Sequence, residues 1–166
     1  LNPKGISMLR YFPYICFLVL SFFIAHSSDA DQRDVKETES VRVIFDAPLT
    51  GGANHVIAIY DKLISELEST LNWRLDYKPE ILLIKENSIF RQITGNDLFV
   101  AFAIPQKKLI VIDFSKMNTH PFSLPVTLKH ELCHLLLHHH ISQENLPKWI
   151  DEGVCQWVSD GISEFI

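Results

Sequence analysis

With 166 residues, a formal net charge of −5 and 47% hydrophobic side chains, the chain has the size and composition of one soluble domain behind a targeting segment. It carries no block of basic residues, which argues against nucleic acid as the main partner. Internal repeats and low-complexity tracts are absent from the sequence.

Met8-Leu9-Arg10 leads into an apolar run over residues 11–25, and Ser28-Asp29-Ala30 offers small residues for cleavage. This predicts a secretory signal over residues 1–30, with 1–7 upstream of the true start at Met8. The run is short for a membrane span and contains Pro13, so an uncleaved anchor is the lesser alternative. Cys16 lies inside the run rather than at its end, unlike a lipoprotein cysteine. The expected location is therefore periplasmic or secreted, with a membrane contact only if the segment stays uncleaved. Residues 31–39 are polar and charged and read as a flexible mature N-terminus. The folded domain is expected over 40–166.

Within it, V-R-V-I-F at 41–45 predicts a short strand. T-G-G-A-N at 50–54 reads as a turn into a helix over 55–72, with Ile57, Tyr60, Leu63, Ile64, Leu67 and Leu71 on one stripe. His55 at its start reads as a surface residue. The branched residues of E-I-L-L-I-K at 80–85 predict a buried strand. Residues 88–94 form a short helix stopped by Gly95-Asn96, and 99–105 with 109–113 read as a hairpin across Gln106-Lys107-Lys108. Phe99, Phe102 and Ile104 are expected to pack under the helices. Residues 115–124 are a loop. The expected fold class is α+β.

The chemistry concentrates in V-T-L-K-H-E-L-C-H-L-L-L-H-H-H at 126–140, which contains H-E-x-x-H as His130-Glu131-Leu132-Cys133-His134. Leu128, Leu132, Leu135 and Leu136 recur at helical spacing, and Pro125 marks a helix start. Residues four apart share a helix face, so both imidazoles can point at one ion. Glu131 lies about 100° round from His130, beside that ion. Two neutral nitrogen ligands, an open coordination position and a carboxylate to accept a proton from water are what metal-assisted hydrolysis needs. The competing reading is a histidine-rich amphipathic helix whose imidazoles are solvated, and a third ligand discriminates between the two. His140 fails as that ligand. With Leu137 where a helix-breaking glycine would be needed, the helix continues and carries His140 about 240° round from His134. Glu152 is the better candidate. Pro147 can start a second helix with apolar Trp149, Ile150, Val154, Trp157 and Val158, and that helix can deliver Glu152.

H-E-x-x-H followed by W-I-D-E-G at 149–153 resembles the gluzincin metallopeptidases, nearest to the broad peptidase MA-like group. There is partial similarity to the W-L-N-E-G motif of zinc aminopeptidases. The likeness is good over residues 99–157 and loose before them. It implies a zincin-like fold: a small mixed sheet with an edge hairpin, packed on the H-E-x-x-H helix and a following Glu-bearing helix. It also implies Zn2+ held by His130, His134 and Glu152, with Glu131 as general base and a peptide or protein as substrate. The strand at 99–105 would then pair with an extended substrate. Zinc aminopeptidases carry an acidic G-x-M-E-N segment there; Val100-Ala101-Phe102-Ala103-Ile104-Pro105 has no acid, which argues against aminopeptidase activity. Some gluzincins place an Asp four residues after the metal Glu, where this chain has Gln156. Gluzincins usually continue into a helical part that closes the cleft, so the domain is expected to be C-terminally incomplete, and no residue fills the oxyanion-stabilising role.

The expectation is an exported zinc metallopeptidase. Its competitors are a non-hydrolytic metal-containing domain that binds peptide or envelope polymer, and metal storage by His138, His139 and His140. His138, one turn beyond His134, can touch the cleft or a partner of a ligand histidine, with the polar end of a helix as the plainer reading, and Asp151 reads as either solvated or bonded to a ligand histidine. Cys133 and Cys155 read as buried thiols on packed helices in preference to a disulfide, with Cys133 facing away from the metal.

Overall fold

The computed structural model describes residues 33–95, 99–117 and 119–159. The predicted signal over 1–30 lies outside the described residues, as does everything after 159. In chain order the elements are β1 (Asp34–Glu37), β2 (Arg42–Phe45), α1 (Thr50–Leu71), β3 (Glu80–Ile84), α2 (Asn87–Thr94), β4 (Ala101–Ile104), β5 (Leu109–Asp113), α3 (Leu124–His140) and α4 (Lys148–Ser159). The strands make a mixed five-stranded sheet in the order β1-β2-β3-β5-β4. β2, β3 and β5 run parallel, and β1 and β4 pair antiparallel at the two edges. The α+β class holds.

Strand alternation divides the molecule into two cores. Val43, Phe45, Ile81, Leu83, Ile110 and Ile112 face one side, where α1 and α3 cover them and α4 packs on α3. Leu82, Ile84, Val111 and Ile104 face the other, where Phe90 of α2 closes a smaller cluster. Phe102 joins this second cluster with its ring 5.6 Å from that of Phe90. It therefore packs under α2, and the small Ala101 and Ala103 are left on the α3 side of the edge strand.

Two local readings change in the N-terminal half. Residues 34–37, expected to be flexible, form β1 by main-chain pairing to β2. Their polar side chains carry no burial pattern; Glu37 instead meets Lys78 at 2.8 Å, and the Thr38 hydroxyl closes the turn by accepting from the Val41 N–H at 3.1 Å. The second change is at the start of α1, where Gly51 and Gly52 lie inside the first turn rather than before it. The ring of Phe114 explains Gly52, because a Cβ there would fall 2.5 Å from Cζ. Asn72 in the left-handed region, φ 54°, ends the helix.

α3 begins one residue before Pro125, with the Ser123 hydroxyl accepting from the Val126 N–H. Leu128, Leu132, Cys133, Leu135 and Leu136 are fully buried, and Lys129 pairs with Glu66 of α1 at 2.9 Å. α3 and α4 are closely packed. On α4 the expected apolar stripe is corrected. Cys155 and Val158 are buried against α3 with Asp151 on the same side, whereas Trp149 and Trp157 are 77% and 66% exposed. Spacings of four and seven from Asp151 define the packed face, and the two tryptophans, eight apart, share the outer one.

Candidate metal centre

The packing of α4 on α3 brings three side chains of the predicted ligand set together. His130 Nε2 and His134 Nε2 lie 3.1 Å apart, and Glu152 Oε2 lies 3.7 Å from each. A tetrahedral ion with ligands at ~2.0–2.1 Å sets its donors ~3.3 Å from one another, so this triangle is of the right size for one such ion. Helical spacing supplies the two histidines from successive turns of α3, and Pro147 and the short connection after His140 turn the chain back to supply the carboxylate. The Glu152 side chain is half exposed while His134 is largely covered, so the triangle is closed on the protein side and open to solvent on the other. His130 holds the Glu152 carboxyl below the usual carboxylate range, against the opposing effect of burial.

Glu131, between the two histidines in sequence, is buried. Burial pushes its pKa up; the neighbouring His134 and His130 and the Ala103 N–H of β4 oppose that, and Glu152 adds to it. The edge strand thus touches the group expected to act as base.

Behind the triangle lies Asp151. Its Oδ1 is 2.7 Å from His134 Nδ1 and its Oδ2 is 2.8 Å from His138 Nε2. Burial alone would lower the pKa of His134, but the Asp151 hydrogen bond and the charges of Glu131, Asp151 and Glu152 outweigh it and raise it to about 9. The Cys155 thiol sits 3.4 Å from His134 Nδ1 and 3.9 Å from Asp151 Oδ1. With His134 and Asp151 it forms a second group whose donor atoms lie within 4.8 Å of one another. Its members already satisfy one another by hydrogen bonds. Cys133 and Cys155 are buried free thiols, as expected, and burial and their proximity push the Cys155 pKa up.

The run His138, His139, His140 splits: His138 leaves the other two, whose rings meet edge-on at 4.8 Å. His138 turns to Asp151, while His139 meets Asp76 at 2.8 Å and the edge of Tyr77. His140 stacks on Trp73 at 5.0 Å and reaches the Arg74 carbonyl at 2.8 Å. His140 is therefore directed away from the triangle, and the last two histidines instead tie the segment after α1 to the end of α3. The sequence offered His138 as a residue that could touch a partner of a ligand histidine, without naming Asp151 as that partner; the structure joins the two. The available signal was that His134 and His138 share a helix face, which invites one acidic partner.

Comparison with known families, curated proteins and solved structures finds no match.

Proposed function

We propose that this chain is an exported zinc-dependent metallopeptidase of the gluzincin type, with a zincin-like domain. The observation that carries the reading is the convergence of His130 Nε2, His134 Nε2 and Glu152 Oε2 within 3.7 Å of one another, from two helices and at a size suited to one zinc ion. Zinc bound there would act as a Lewis acid on a carbonyl and bring a water molecule towards deprotonation near neutral pH.

The protein's own groups supply the rest. Hydrogen bonding of His134 Nδ1 to Asp151 keeps that proton on Nδ1, so that loss of the Nε2 proton leaves a lone pair directed at the triangle. The lowered pKa of Glu152 keeps its carboxylate charged and able to serve as a ligand. Glu131 accepts a proton from the attacking water and returns it to the leaving amine; its burial raises its basicity towards that task. The outer edge of β4, unpaired among the described residues and next to Glu131 through Ala103, offers main-chain groups to an extended peptide, which would add as a further strand. The export part of the proposal rests on residues 8–30 alone.

Hydrolysis of a mixed peptide library with and without chelator tests the reading, with Glu131→Gln as the blank. Chelator-sensitive cleavage that is lost in the variant supports it. A wild-type protein that binds zinc and peptide yet cleaves nothing would make it a binding domain.

A further inference from the structure

We propose that Asp151, clamped between His134 and His138, is the positioning residue of the metal centre. This rests on the zinc reading above and adds the device that orients its most buried ligand. Asp151 directly precedes Glu152, so the two carboxylates point about 100° apart on α4. Glu152 reaches the triangle, and Asp151 reaches past it to the far side of the His134 ring.

Each oxygen of Asp151 has its own imidazole. Oδ1 meets His134 Nδ1 at 2.7 Å and Oδ2 meets His138 Nε2 at 2.8 Å. A carboxylate only accepts, so both nitrogens donate. That assigns the tautomer of His134: the proton is on Nδ1, and Nε2 is the atom left to bind a cation. His138 stands one turn after His134 on the same helix, so Asp151 bridges successive turns of α3 through its two oxygens. The Cys155 thiol, 3.4 Å from His134 Nδ1, covers a further side of this junction. The side chains of His134, Asp151 and His138 are 13%, 13% and 14% exposed, so water has little access to replace either bond. His138, too far along the helix to be a ligand, acts on the metal through Asp151.

The test is zinc affinity by competition with a chromophoric chelator at fixed pH, together with the visible spectrum of the cobalt-substituted protein. The proteins are wild type, Asp151→Asn, His138→Ala and the double variant. Asp151→Asn is expected to weaken zinc binding ~10–100-fold with one ion per chain retained, the usual loss when the partner of a ligand histidine is removed. It should also alter the cobalt spectrum, which a purely structural role would leave unchanged. His138→Ala should weaken binding by a smaller factor, and that factor should vanish in the Asp151→Asn background. Affinities of Asp151→Asn and His138→Ala within twofold of wild type would overturn the proposal, as would a His138→Ala effect undiminished in the double variant. If Asp151→Asn does not fold, His138→Ala carries the test alone. A wild type that binds no zinc would overturn both this proposal and the reading beneath it.

Discussion

His130 and His134 bring their Nε2 atoms to 3.1 Å from each other, one helical turn apart, with the rings nearly perpendicular. Two ring nitrogens this close share either a proton or a cation. Glu152, at 3.7 Å from both, adds a negative charge to the same point.

Glu131→Gln should keep zinc and lose activity. The side chain is buried and its charge is disfavoured there, so a neutral isostere should not lower thermal stability. Loss of a general base typically costs ~10²–10⁴-fold in rate. Zinc content, melting temperature and peptide hydrolysis measured on one preparation check all three statements.

In the metal-free protein His134 titrates at about 9, above the ordinary histidine value. A folded-state pKa raised in this way gives stability that is fully present below the unfolded value of ~6.5 and is lost as pH rises through the folded one. Denaturant midpoints of the metal-free protein should therefore fall between those two pH values, and His134→Gln should remove this part of the slope. The same proton competes with the cation, so zinc binding in this range should release it. Calorimetry in buffers of different ionisation enthalpy reads that proton directly.

His140→Ala should leave zinc stoichiometry unchanged. Its ring stacks on Trp73 and bonds the Arg74 carbonyl, away from the triangle. The expected effect is a loss of ~1 kcal/mol in stability, the scale of one hydrogen bond or aromatic contact, visible in urea unfolding. A loss of zinc instead would return His140 to the ligand set.

The two glycines that open α1 should respond oppositely to alanine. At Gly51 nothing lies within 4 Å of an added Cβ, and alanine should be neutral or stabilising by up to ~1 kcal/mol. At Gly52 the added carbon meets the Phe114 ring at 2.5 Å, and overpacking of this kind costs ~1–3 kcal/mol. Paired denaturation curves decide it.

The parts legible in the sequence are those where one residue pattern has one physical solution. The branched run of β3 can only be a buried strand, and the leucines around His130 and His134 admit only a helix. Continuation of that helix through Leu137 correctly removes His140 from the ligand triangle. β1 escaped because a polar edge strand is held by its backbone, which leaves no periodic trace in Asp34–Glu37. On α4, hydrophobicity pointed Trp149 and Trp157 inward. The packed face is instead set by Asp151 and Cys155, whose partners come from α3. Whether Asp151 faces solvent or His134 depends on how the two helices meet; the shared face of His134 and His138 invites an acidic partner but does not say which residue of α4 fills the place.

Metal content of the purified protein, measured beside Glu152→Ala and His134→Ala, decides whether the triangle holds an ion. The triangle predicts one zinc per wild-type chain, a marked loss of affinity in Glu152→Ala and none retained in His134→Ala. More than one zinc per chain with little change in Glu152→Ala, or no zinc in the wild type, would contradict it.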